Sequence, residues 1–284
     1  MTMLKNVLRI PDAPKTIQKG YPLKNVLGTE AIKCLANNIS HVYPDFQAKE
    51  FKKAALKSLE SLEFMERGVH IARVLRGFLP EKYDRAIKII LASLTPANKE
   101  TEGLGLAVLF YYPHGCFVSE YGLDREFNEG DDPFEVSMQA LYELTKRNTS
   151  EFSIRPFLIR EQKRTLAVLK QWIADPDPHV RRLCSEGTRP RLPWAPRIPA
   201  FLNNPKPVLP ILEKLKNDPV LYVRRSVANN LADIAKDHPE LAYKKIETWL
   251  NKPTKEVKWI IRHALRYPAK KGDRYALQLR SAAK

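Results

Sequence analysis

Apolar residues recur three and four positions apart along nearly the whole chain. In Phe46-Gln-Ala-Lys-Glu-Phe-Lys-Lys-Ala-Ala-Leu-Lys-Ser-Leu59, positions 51, 54, 55 and 59 fall on one stripe with lysines between them, which is the period of an amphipathic helix. The same spacing predicts helices over 29–40, 63–79, 81–94, 100–111, 133–147, 149–159, 164–173, 178–186, 206–216, 220–236, 239–250 and 254–266. No convincing run alternates with a period of two, so the expected class is all-α. Breaks fall at Tyr43-Pro44, Leu79-Pro80, Thr95-Pro96, Asp175-Pro176, Asp218-Pro219, His238-Pro239 and Lys252-Pro253. Proline is tolerated in the first turn of a helix and excluded from its interior, so each break marks a helix start.

An internal repeat occupies the C-terminal half. Asp175-Pro-Asp-Pro-His-Val-Arg-Arg-Leu-Cys-Ser-Glu-Gly187 recurs as Asp218-Pro-Val-Leu-Tyr-Val-Arg-Arg-Ser-Val-Ala-Asn-Asn230, and more weakly as Thr254-Lys-Glu-Val-Lys-Trp-Ile-Ile-Arg-His-Ala-Leu265. Val180 and Val223 stand 43 residues apart, and Arg225 and Arg262 stand 37 apart. A period near 40 with Asp-Pro at the turn is the signature of HEAT-type helix pairs, which stack into a superhelix with a concave face. The recurring Asp and Arg are equally consistent with ion pairing between repeats. The chain reads as one HEAT-like repeat domain over 1–284, clearest over 175–284, with 1–20 loosely ordered.

Between the first two copies lies Gly187-Thr-Arg-Pro-Arg-Leu-Pro-Trp-Ala-Pro-Arg-Ile-Pro199. Four prolines stiffen this loop, which carries Trp194 and the arginines 189, 191 and 197. Trp194 is either a plug between repeats or a displayed aromatic.

Composition narrows the partner. The 284 residues hold 48 Lys and Arg against 32 Asp and Glu, a formal charge of +16, which favours an anionic partner, nucleic acid above all. No apolar stretch is long enough to span a bilayer, and the N-terminus carries no secretory pattern, so a cytoplasmic protein is expected, nucleoid-associated through DNA. Cys34, Cys116 and Cys184 have neither disulfide nor zinc-site spacing, and no metal or cofactor motif is present.

Three segments then point to a family: Val180 through Trp194, Tyr222 through Asp237, and Trp259-Ile-Ile-Arg-His-Ala-Leu265. Together with Met65-Glu-Arg-Gly-Val-His-Ile71, Tyr121-Gly-Leu123 and Thr149 through Phe157, they resemble the AlkC-type branch of the AlkD-like alkylpurine DNA glycosylases. The resemblance covers most of the chain and is weakest before residue 20. It implies hydrolysis of the N-glycosidic bond of alkylated bases in duplex DNA, without full flipping of the lesion. No Lys stands out as a Schiff-base nucleophile, so the expected enzyme is monofunctional, and a monomer needing neither metal nor organic cofactor is expected. Some members of the branch carry a C-terminal immunoglobulin-like domain; this chain, ending at Lys284, looks like the shorter subtype.

Residue chemistry is compatible with that implication. A cationic alkylated base is already a good leaving group, so the enzyme needs negative charge beside an oxocarbenium-like sugar and a base to orient water. Carboxylates serve both needs. Glu151, Glu186 and Asp233 stand at repeat-like spacings: Glu186 lies 35 after Glu151 and four after Arg182, while the matching position after Arg225 is Asn229, with Asp233 one turn further on. Each acid has a structural alternative, namely Glu151 with Arg155, Glu186 with Arg182 or Arg189, and Asp233 with a lysine. Trp194 is the candidate aromatic wall or duplex probe. The candidate DNA-binding set is Arg155, Arg181, Arg182, Arg189, Arg191, Arg197, Arg224, Arg225, Asn229 and Arg262, positioned to follow phosphates without reading sequence. His263 is expected to be a packed polar residue, and the acidic stretch 124–132 a solvated loop. The rival to an enzyme is a non-catalytic HEAT scaffold that binds nucleic acid or protein.

Overall fold

The structure is a computed structural model that describes residues 8–284. Among these residues the chain is helical, the only strand-like feature being an isolated bridge between Gln18 and Tyr21. The chain separates into two compact units, 1–153 and 154–284, where the sequence reads as one continuous repeat domain. No helix among the described residues is long and apolar enough to cross a membrane.

The first unit holds α1 (Thr29–Val42), α2 (Ala48–Leu56), α3 (Phe64–Arg76), α4 (Tyr83–Ala92), α5 (Tyr112–Tyr121) and α6 (Phe134–Thr145). Helix α3 opens with a capping box in which Glu63 and Glu66 satisfy each other's backbone amides. The helix packs so closely on α5 that a Cβ on Gly68 would lie 2.3 Å from the Tyr112 ring. Helix α5 departs from expectation. The sequence predicts a helix over 100–111, but that stretch is irregular until a 3-10 turn at Ala107–Tyr111, and the helix follows it. Tyr112 to Val118 are all buried, so α5 has no polar face and leaves no 3.6-residue period to read. Pro96 accordingly starts no helix. Residues 8–14 are better tied than expected for a loose terminus: Arg9 exchanges two backbone hydrogen bonds with the Asn38 side chain, and the Pro14 carbonyl accepts from Leu106. The first copy of the duplicated Leu-Lys-Asn-Val-Leu, at 4–8, lies almost wholly outside the described residues; the second forms a 3-10 helix at Leu23–Leu27.

The second unit runs α7 (Arg155–Arg160), α8 (Gln162–Trp172), α9 (Pro178–Glu186), α10 (Pro199–Asn203), α11 (Leu209–Leu215), α12 (Leu221–Asp237), α13 (Pro239–Leu250), α14 (Lys255–Ala264), α15 (Arg266–Lys270) and α16 (Arg274–Ala282). Helix α12 packs between α9 and α14 through buried Val180, Leu183, Val223, Val227, Leu231, Ile260 and Ile261. Partners rise in number together along α9 and α12. Arg182 lies over the Tyr222 ring at 4.7 Å, and the Asn230 amide donates to the Ser185 carbonyl at 2.7 Å. The two repeat helices therefore run parallel, as the inner helices of stacked HEAT pairs do.

The repeated Asp-Pro/Val-Arg-Arg segment builds one device twice. Arg181 donates from Nη1 to the carbonyls of Asp175 and Pro176, and Arg224 does the same to Asp218 and Pro219. Arg181 then reaches across to the next repeat and pairs with Asp218 through both nitrogens, at 2.6 and 3.1 Å. The third copy carries Lys255 in register with Asp218, and the buried Nε of Arg224 has no hydrogen-bond partner.

Candidate carboxylate–arginine site

The site in the second unit forms where α9 ends. A Cβ on Gly187 would meet Ile154 Cγ2 at 2.7 Å, so only glycine lets the chain turn there against α7 and its approach. The proline-rich loop that follows is held from within. Arg155, wholly buried, donates to the carbonyls of Pro196 at 2.5 Å, Arg189 at 2.9 Å and Gly187 at 3.2 Å. Arg155 is therefore corrected from a DNA-binding to a structural residue, since no phosphate can reach a fully buried guanidinium spread over four loop carbonyls, that of Pro190 included.

Arg189 is the centre of the site. Its Nη1 donates to Glu186 Oε1 at 2.7 Å, and its Nε and Nη2 donate to Asp233 Oδ2 and Oδ1 at 2.8 and 3.2 Å. Arg182 approaches the other Glu186 oxygen at 3.6 Å. Burial pushes the Glu186 carboxyl up, but Arg182 and Arg189 outweigh it and hold it below the usual carboxylate range. For Asp233 burial wins: with the Glu186 charge adding to it, the carboxyl sits above its ordinary value despite Arg189. Glu186 is thus a fixed anion, and Asp233 is the more basic carboxylate. One turn on, Arg191 pairs with Asp237 at 2.6 and 2.8 Å.

Glu151 belongs to the first unit, where its carboxylate accepts from Thr149 Oγ1 at 2.7 Å. Trp194 is 71% exposed, with φ of +64°. A bulky residue in the left-handed region is a strained outlier, kept where surrounding structure dictates it. The loop thus displays the indole, and Trp194 does not plug a gap between repeats.

Ion pairing claims several of the expected phosphate ligands. Arg181, Arg189 and Arg191 are each committed to a carboxylate in a two-point pair, and Arg224 caps a turn. Arg181, Arg189 and Arg191 are corrected from phosphate-binding to structural or positioning residues, because a guanidinium already neutralised by a carboxylate has little charge left to offer an anion. Arg197 and Arg225 are exposed. Asn229 accepts from Arg266 at 3.4 Å, and Arg262 donates to the Ala283 carbonyl. Sequence reasoning missed Arg266 and Arg280. His263, expected to be a packed polar residue, is half-buried and stacks on Trp259, with centroids 4.8 Å apart and planes 15° apart.

Comparison with known proteins matches this geometry to a family. The family model described as DNA alkylation repair enzyme matches residues 148–267, the stretch that holds the whole site. A Bacillus subtilis (strain 168) protein, the uncharacterized YhaZ, is 41% identical over 258 residues, covering 90% of this chain and 67% of its own. This chain belongs to the DNA alkylation repair enzyme family, in its AlkC-type branch. The AlkC branch is fixed by a solved structure, the Pseudomonas fluorescens alkylpurine DNA glycosylase AlkC bound to DNA containing an abasic site analog. It matches with a TM-score of 0.78 at 38% identity, over 93% of this chain and 69% of that one. The helical repeat fold expected from the sequence is accordingly the fold of this family member.

Proposed function

We propose that this member of the family is a DNA glycosylase that hydrolyses the N-glycosidic bond of cationic alkylated bases in duplex DNA. The observation that carries the reading is Arg189, which holds Glu186 and Asp233 from the same loop that displays Trp194. A carboxylate held by hydrogen bonds is oriented before the substrate arrives, so its charge opposes the developing oxocarbenium without reorganisation. Glu186, kept ionised by two arginines, serves as that fixed anion. Asp233, the more basic of the pair, orients the attacking water and accepts its proton, with Glu151 assisting from its own segment. Trp194 supplies an aromatic face for the cationic base or the opened duplex. The bond broken is base to C1′, the bond formed is water oxygen to C1′, and the electron pair leaves with the base. No step calls on a metal or an organic cofactor. AlkC's capture of DNA with an abasic site analog supports DNA as the partner.

The substrates follow from leaving-group chemistry. Bases that are cationic before reaction, such as 3-methyladenine, 3-methylcytosine or 1-methyladenine, need no general acid, whereas uracil and hypoxanthine do. The experiment is chromatography of bases released from methylated duplex DNA, followed by hot alkali to cleave abasic sites. Release of methylated bases with no strand cleavage before alkali is expected. Binding without any base release would leave a scaffold instead.

A further inference from the structure

The third repeat carries a cationic pocket that the excision site does not use. Helix α14 and the first residue of α15 place Trp259, Arg262, His263 and Arg266 at i, i+3, i+4 and i+7, on the face opposite buried Val257, Ile260, Ile261 and Ala264. Helix α16 adds Arg280, and the five side chains line a cavity of about 270 Å³ with no carboxylate among them. Burial, with Arg266 and Arg225 beside it, holds His263 below the ordinary histidine range.

What sets this cluster apart is how its arginines are held. In the first repeat each guanidinium at the site meets a carboxylate. In the third, Arg262 donates to the Ala283 carbonyl, and Arg266 to the His263 carbonyl at 2.7 Å and to the Asn229 amide oxygen at 3.4 Å. Neutral acceptors orient the forks without cancelling their charge. The repeat register makes the same point, because the position four after the second arginine is Glu186 in the first copy, Asn229 in the second and Arg266 in the third. Charge at one structural position thus passes from negative through neutral to positive.

We propose that the Trp259 pocket is a binding site for a backbone phosphodiester of DNA, gripped by Arg262, Arg266 and Arg280, with the Trp259–His263 stack as an apolar wall for the adjoining sugar. Arginine forks match phosphate oxygens in pairs, and an aromatic face beside a cationic cleft is a general device for holding nucleic acid. The proposal rests on the reading of DNA as the partner and adds to it a defined anchor away from the carboxylates.

The test is equilibrium binding of an undamaged duplex, followed by fluorescence anisotropy across a salt series. It compares the intact chain with an Arg266→Gln/Arg280→Gln double variant and with a Lys244→Gln/Lys252→Gln control of equal charge change. The arginine variant is expected to weaken binding and to flatten the slope of log K against log salt by about one to two units, with the control near the intact chain. Equal losses from both pairs would assign the effect to net charge and overturn the site, as would an unchanged slope in the arginine variant. An intact chain that binds no duplex would instead sink DNA as the partner. Should the double variant unfold on circular dichroism, Arg280→Gln alone carries the test, with about one unit expected and no change counting against it.

Discussion

Arg189 holds Asp233 by two parallel hydrogen bonds across 44 residues of sequence, while its remaining nitrogen holds Glu186 three residues away. One guanidinium therefore fixes a buried carboxylate, Glu186, and a half-buried one, Asp233, on different repeats. Arg189→Ala would leave the buried Glu186 without that partner, a change that typically costs about 3–5 kcal/mol. Urea unfolding followed by circular dichroism should show a loss of that size. Arg189→Lys, which keeps the charge but not the fork, should recover part of the stability and little of the base release. Equal stability for all three chains would mean that the pair contributes nothing.

Glu186→Gln separates charge from shape. The amide oxygen can still accept from Arg189, so the fold should survive, while the fixed anion is gone. Single-turnover excision of 3-methyladenine should fall by about 10²–10³, the usual loss for one electrostatic element of a site, with duplex affinity near that of the intact chain. Glu151→Gln should act in the same direction. Normal excision by both would refute the carboxylate assignment.

The legible and illegible parts of the molecule divide along physical lines. The parallel repeat helices α9, α12 and α14 could be read because each has a wet face and a buried face, and because Asp-Pro turns precede two of them. The Arg181–Asp218 pair was foreshadowed by the recurring Asp and Arg, as the structural alternative to phosphate binding. Helix α5 was hidden because burial on all sides erases periodicity. The short α15 was hidden because five residues hold too few turns for a stripe to register. The acids Glu186 and Asp233 were singled out by spacing, but which arginines they would meet depended on the path of the Gly187–Pro199 loop. Nothing in the sequence says that Arg189 turns inward while Arg197 stays exposed.

Glu213 gives a pH signature independent of DNA. Burial pushes its carboxyl up, but Lys216, Lys245 and the Trp249 indole outweigh this and bring it down to about 2. A depressed carboxylate contributes stability above its unfolded value, near 4.5, and loses that contribution as pH falls toward the folded value. Glu213→Gln should therefore lower the melting temperature at pH 7 and converge on the intact chain between pH 4.5 and about 2. A destabilisation that stays constant down to pH 2.5 would show that the residue acts by packing alone.

Trp194 should give stability and activity changes of opposite sign. Its φ of +64° places a large side chain in backbone geometry that glycine adopts freely, and 71% of its surface is exposed, so the indole returns little packing for that strain. Residues held this way cost about 1–3 kcal/mol and persist where function needs them. In Trp194→Gly the strain is relieved, while glycine's greater freedom in the unfolded chain offsets part of the gain, leaving a net stabilisation of about 1 kcal/mol or less. Trp194→Ala removes the ring but keeps a Cβ at the same φ, so it should be no more stable than the intact chain. Both variants should excise more slowly, because both lose the aromatic face displayed on the loop that carries Arg189. Thermal melts of the three chains, set against single-turnover excision, decide the matter. If Trp194→Gly is destabilised, the strain is absent and the loop conformation has another cause. If excision is unchanged in both variants, the displayed indole has no part in the reaction, and the fixed carboxylates must act without it.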